Sequence, residues 1–284
     1  MNKNICFISV PSSHGGNING SELAPALITN LDMVKSLKGS CFLNLDCKNF
    51  EKNNFVKSVC SKLKIKTHKA LKDGFFPFVL GGDHSISTGS LSAVSSFFFK
   101  KNKYRPGLIW FDAHADLNTH LTSPSGNMHG MPLASLIGED VKHLSDVVDS
   151  GLFDTEKVVF LGLRDLDPGE RNLLEERNIS HFSVERIREE GIENVSKRVS
   201  SIIGSDYCLS FDVDSLDPSC APGVGTPVTN GFHLEEAISL LDLILKKGNL
   251  VSLDFVEYNP LRDIDKKTQE SVKIFLNFLI SKIS

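Results

Sequence analysis

The chain has 284 residues, with 31 lysines and arginines against 35 aspartates and glutamates, for a net charge of −4. Hydrophobic residues make up 40% and charged residues 23%, which excludes wholesale disorder and supplies a core that needs no staples. The mild acidity argues against a dedicated nucleic-acid binder, whereas a small cationic ligand answers only to its local pocket.

The apolar run Ile5–Val10 is too short for a membrane span or a secretory core, and no later stretch reaches about 18 uninterrupted apolar residues. A cytoplasmic protein without a membrane partner is expected. The six cysteines are scattered with no C-x-x-C pair, which predicts reduced, partly buried thiols. No linker, repeat or low-complexity tract interrupts residues 1–284, so one domain is expected.

In chain order, strands are predicted at Ile5–Val10, Cys41–Leu45, Phe76–Leu80, Leu108–Phe111, Val158–Leu161, His181–Val184, Tyr207–Phe211 and Val251–Asp254. Several are near-continuous apolar runs, as parallel strands buried on both faces require. Between them, Phe55–Leu71 and Leu234–Leu245 carry helical periodicity, and the charges of Glu170–Arg177 suit an exposed helix. This alternation predicts an α/β fold with a mostly parallel sheet covered by helices.

Four strands run straight into polar clusters. They lead to Gly81-Gly82-Asp83-His84-Ser85, to Asp112-Ala113-His114-Ala115-Asp116, to Asp212-Val213-Asp214, and to Asp254-Phe255-Val256-Glu257. Ligands of open parallel sheets bind beyond the carboxyl ends of the strands, so the clusters are expected on one rim. In an extended chain Asp112, His114 and Asp116 project to one side, and Asp212 and Asp214 repeat the spacing. Each residue alone has an ordinary structural role, such as Asp83 capping a helix. Together, His84, His114 and four carboxylates suit divalent ions such as Mn²⁺, Fe²⁺, Co²⁺ or Zn²⁺, and that much negative charge suits two ions better than one. Two such ions lower the pKa of a shared water, which points to a hydrolase. The Gly-Gly pair lacks the spacing of a phosphate-binding loop.

The motifs GGDHS at 81–85, DAHAD at 112–116, SGNMHGMP at 125–132, GLRDLDPGE at 162–170, SFDVDSLDP at 210–218, GTPV at 225–228 and SLDFVEYNP at 252–260 together resemble the ureohydrolases, most of all the arginases. The resemblance implies a three-layer α/β/α fold with an eight-stranded parallel sheet. It implies two Mn²⁺ ions per subunit, one held by His84, Asp112, Asp116 and Asp212, the other by Asp112, His114, Asp212 and Asp214. The implied reaction is hydrolysis of L-arginine, a small cationic guanidino substrate, to L-ornithine and urea. Asp116 would carry a proton to the leaving amine, His129 would shuttle protons, Glu257 would face the guanidinium, and Thr226 would line the pocket. Asn118, Ser123, Ser125 and Asn127 match positions that contact the α-carboxylate, and Asp167 the position that reads the α-ammonium. A homotrimer or homohexamer is implied by analogy. The alternatives are another ureohydrolase, such as an agmatinase or guanidinobutyrase, and an inactive regulatory or scaffold member.

Overall fold

The computed structural model describes residues 3–47 and 54–284. Strands β1 (Ile5–Val10), β2 (Cys41–Asn44), β3 (Phe76–Gly81), β4 (Gly107–Phe111), β5 (Val158–Leu161), β6 (Ser180–Phe182), β7 (Asp206–Asp212) and β8 (Asn249–Val256) build one sheet. Their order is β2-β1-β3-β8-β7-β4-β5-β6, with every pairing parallel. The helices are α1 (Ala24–Thr29), α2 (Asp32–Lys35), α3 (Phe55–Lys72), α4 (Ser87–Asn102), α5 (Pro132–Leu136), α6 (Ser145–Val148), α7 (Pro168–Glu176), α8 (Val184–Glu190), α9 (Ile192–Ile203), α10 (Leu234–Leu245) and α11 (Lys267–Ile283).

Strand alternation sorts the core into layers. Ile5 and Phe7 of β1, with Phe211 of β7 and Phe255 of β8, pack in a cluster with Ile28, Val199, Leu240 and Phe275 from α1, α9, α10 and α11. On the opposite face Cys6, Ile8 and Val79 pack on Val59 and Leu63 of α3, while Trp110 and Phe160 pack with Leu91 of α4 and Leu174 of α7. Both faces of the sheet are therefore dry, as the apolar strands predict, and the result is the three-layer α/β/α arrangement that the resemblance implies.

Three differences from expectation have local causes. The sixth strand ends at Phe182, not Val184, because the Ser183 hydroxyl accepts the Arg186 N–H at 3.2 Å and starts α8. Helix α4 is unmarked by periodicity because Ser87–Ser96 are all buried, so serines and apolar residues alternate around it with no exposed face to separate them. Cys6 and Cys41 are joined in a disulfide instead of remaining thiols. They are register partners across β1 and β2, an adjacency that their 35-residue separation conceals. Cys47, Cys60, Cys208 and Cys220 are free. Among the described residues, no helix is long and apolar enough to cross a membrane.

The four strands that end in polar clusters, β3, β8, β7 and β4, are consecutive in the sheet. Gly82 follows β3 where a Cβ would lie 1.8 Å from the Ser12 carbonyl oxygen. Gly82→Ala must push the β1 loop away from this turn. We expect a loss of about 1–3 kcal/mol, typical of overpacking, read as a lowered denaturant midpoint with an unchanged slope.

Candidate active site

Three of the four clusters are shaped by a carboxylate folding back on its own backbone. Asp83 Oδ1 accepts the Ser85 N–H at 3.0 Å and caps the short turn that carries His84. Asp83 Oδ2 accepts the Gly15 N–H at 3.0 Å, and the Gly15 carbonyl in turn accepts the His129 N–H at 3.0 Å. Asp112 Oδ1 accepts the His114 N–H, and Asp212 Oδ1 the Asp214 N–H, both at 2.8 Å. Asp116 lies in the left-handed region at φ 52°. Asp112, His114 and Asp116 thus converge through a turn beyond β4, and not through the strand alternation expected from their spacing. Glu257 leaves β8 with φ 66°, and its N–H donates to the Gly82 carbonyl at 2.7 Å.

These turns gather the acids around two imidazoles. His84 Nδ1 lies 3.0 Å from Asp112 Oδ2, 3.1 Å from Asp116 Oδ2 and 3.0 Å from Asp212 Oδ2. His114 Nδ1 lies 3.2 Å from Asp214 Oδ2 and 3.5 Å from Asp112 Oδ1. Asp112 therefore offers one oxygen to each ring. Among the described residues, Asp112 Oδ2, Asp116 Oδ2 and Asp214 Oδ1 are buried without a hydrogen-bond partner. A buried carboxylate oxygen without a donor is costly, and a dication is a partner that such oxygens and imidazoles share. Two groups, His84-Asp112-Asp116 and Asp112-His114-Asp214, bring potential ligand atoms within 4.8 Å of one another. The residues present fit divalent cations.

The electrostatics carry the same message. Burial, then the charge of Asp112, pushes the Asp116 carboxyl up to about 6. Burial, with Asp214 and Asp112 alongside, raises Asp212 well above the carboxylate range. Burial opposes charging His84, yet its three carboxylate neighbours raise it well above the ordinary imidazole value.

A cavity of about 120 Å³ opens beside this cluster. Every site residue expected from the sequence lines it except Asp112, which is buried. Thr226 Oγ1 donates to Asp214 Oδ2 at 3.0 Å, so this side chain steadies a carboxylate as well as lining the wall. Glu257 Oε1 accepts the His84 N–H at 2.8 Å and lies 3.2 Å from His129 Nδ1. Burial works against charging His129, but Glu257 prevails and lifts it to about 9. Elsewhere on the wall, Asn118 Nδ2 donates to Asp167 Oδ2 at 2.8 Å. Ser123 Oγ accepts the Gly126 N–H at 2.9 Å and Ser125 Oγ the Asn127 N–H at 3.2 Å, which shape the exposed rim.

Two participants are not expected from the sequence. The charge pattern places Glu170 on an exposed helix, but it is buried, lines the cavity, and accepts the N–H groups of Leu117 at 3.1 Å and Asp167 at 2.9 Å. Burial raises it to about 7. The Asp167-Pro-Gly-Glu170 spacing carries the signal, since an acid three residues after an N-cap turns back onto the backbone. Arg164 donates to the carbonyls of Asp214 and Val228, both at 2.8 Å, and pins the turn after β7. Nothing in its sequence position marks this role.

Residues 3–280 match the arginase family, and the chain belongs to that family of hydrolases. An arginase of Staphylococcus aureus is 37% identical over 289 residues, covering 94% of each chain. An arginase of Bacillus subtilis is 35% identical over 300 residues, covering 99% of each. The crystal structure of Entamoeba histolytica arginase in complex with L-ornithine aligns at a TM-score of 0.89 with 29% identity over 98% of each chain.

The raised groups share one sign. A carboxyl or imidazole with a folded pKa above its unfolded value binds more protons when folded, so stability falls as pH rises between the two values. With Asp116 at about 6, Glu170 at about 7 and His129 at about 9, the metal-stripped protein should lose thermal stability from about pH 4 to about pH 9. With Mn²⁺ added the trend should flatten or reverse, because cation binding displaces these protons. Thermal scans across pH, with and without Mn²⁺, check this.

Proposed function

We propose that the protein hydrolyses the guanidino group of L-arginine to L-ornithine and urea with two Mn²⁺ ions. His84, Asp112, Asp116 and Asp212 would hold one ion, and Asp112, His114, Asp212 and Asp214 the other. The observation that carries the reading is Asp112, which turns Oδ2 to His84 and Oδ1 to His114 and so joins two ligand groups. When bound, a pair of such ions supplies Lewis acidity that lowers the pKa of water toward neutrality.

The chain's own residues do the rest. The guanidinium is a resonance-stabilised cation, and the planar fork of its N–H groups matches the Glu257 carboxylate at the cavity wall. Asp116, buried at the cavity wall beside the ion site, would take a proton from the attacking water and pass it to the leaving amine. His129 sits at the wall on Glu257 and exchanges protons between the cavity and solvent. Asp167, held by Asn118, would pair with the α-ammonium, while Asn118, Ser123, Ser125 and Asn127 would meet the α-carboxylate. That Asn118, Ser123, Ser125 and Asn127 share one cavity with the acidic cluster favours a substrate bearing an α-carboxylate over agmatine, which keeps the amine but lacks that carboxylate.

Urea release from arginine and agmatine with added Mn²⁺ tests the reading. Arginine should be strongly preferred; preference for agmatine would overturn the substrate, and under one metal per chain after loading would overturn the ion pair. Asp116→Ala and Asp214→Ala should abolish turnover in folded protein. Asp167→Ala should raise KM for arginine roughly 10- to 100-fold, as loss of a charged hydrogen bond does, with kcat less affected.

A further inference from the structure

Asp83 is buried next to His84, and the reaction above makes no use of it. Its two oxygens are divided between two segments. Oδ1 accepts the N–H and the hydroxyl of Ser85, within its own turn. Oδ2 reaches the segment that follows β1, where it accepts the Gly15 N–H at 3.0 Å and the Ser12 hydroxyl at 3.3 Å. The Asp83 N–H donates to the Ser12 carbonyl at 2.9 Å, so the two segments are tied at three points.

Gly15 passes this restraint on to the cavity wall, since its carbonyl accepts the His129 N–H at 3.0 Å. His129 belongs to the short turn Met128–Gly130, in which no residue is fully buried, so its place depends on hydrogen bonds more than on packing. The far end of that turn is held by the Asn118 N–H, which donates to the Gly130 carbonyl at 3.1 Å. Gly16 lies against the ring itself, where a Cβ would stand 3.4 Å from Nε2 and Cε1. The imidazole is thus bracketed between Gly16 and Glu257, whose Oε1 is 3.2 Å from Nδ1. That separation is at the long end of a hydrogen bond, and a backbone shift of about 1 Å would break it. Gly15 leaves no room for such a shift to be harmless: a Cβ there would lie 2.3 Å from Asp83 Oδ1 and 2.6 Å from Ser85 Oγ.

We propose that Asp83 and Gly15 are positioning residues for proton transfer, Asp83 fixing the Gly15 backbone and the Gly15 carbonyl setting His129 so that its ring rests on Glu257. The inference rests on the reading of His129 as a proton shuttle.

The test compares wild type, Asp83→Asn, His129→Ala and the double variant, each loaded with Mn²⁺ and assayed for bound metal and for urea release from arginine. The amide of Asp83→Asn can keep its oxygen on Ser85, and its NH₂ then faces the Gly15 N–H, donor against donor. Asp83→Asn should keep the metal content of the wild type, lower kcat about 10- to 100-fold, as a misplacement of about 1 Å does, and change KM little. Free imidazole should restore much of the rate, because it brings from solution the proton carrier that is out of place. In the His129→Ala background the same change should cause no further loss, since both changes disable one group. Loss of metal, or an equal loss of kcat in both backgrounds, would make Asp83 a structural support of the His84 turn and overturn the proposal, as would an unchanged kcat. Should Asp83→Asn fail to fold, Gly15→Ala decides by the same criteria. A wild type that releases no urea overturns the proposed function, whereas an active wild type with equal losses in both backgrounds overturns only the role of Asp83 and Gly15.

Discussion

Mutual repulsion among Asp112, Asp116, Asp212 and Asp214, crowded together out of water, is the constraint that the surrounding structure answers. Such a group cannot be fully ionised in a dry site without positive charge close by. Two imidazoles supply part of it, and the orphaned oxygens mark where more is needed. The neighbouring polar contacts have the same purpose. Thr226 donates to Asp214, Arg164 grips the carbonyls after β7, and the backbone N–H groups of His114 and Asp214 donate to Asp112 Oδ1 and Asp212 Oδ1.

That crowding is accompanied by backbone strain at two residues. Asp116 and Glu257 both adopt positive φ, a conformation costing on the order of 1–3 kcal/mol for residues with a side chain. Each is held in place by backbone bonds. The Asp116 carbonyl accepts the Ala134 N–H at 3.1 Å, and the Glu257 N–H is held by Gly82. Both side chains face the cavity from turns that a relaxed strand would not produce.

The layout is legible because parallel sheets simplify sequence. Strands buried on both faces read as plain apolar runs, and a polar cluster after such a run stands out. DAHAD and FDVD are visible on that ground, and their meeting place follows from a general property of strand ends. Other features need tertiary information. Helix α4 has no exposed face over Ser87–Ser96 to betray it. Glu170 resembles any surface acid until its backbone bonds are seen. The Cys6–Cys41 bridge depends on two strands lying side by side, which no spacing of cysteines reveals. Asp254 reads as one more acid in a cluster, yet it is buried within β8 and its carboxylate accepts the Ser90 hydroxyl of α4.

The position of β8 has a consequence for how the molecule is made. This strand is the last in the chain and sits between β3 and β7. Before it arrives, the sheet can exist only as two separate pieces, β2-β1-β3 and β7-β4-β5-β6, each exposing a bare edge of apolar strand. During synthesis on the ribosome, Phe78–Leu80 and Cys208–Phe211 must therefore wait with unpaired backbone until residues beyond 249 emerge. Such edges invite pairing with other chains. A truncated product ending before β8 is accordingly a candidate for chaperone capture or aggregation, and not a smaller working enzyme.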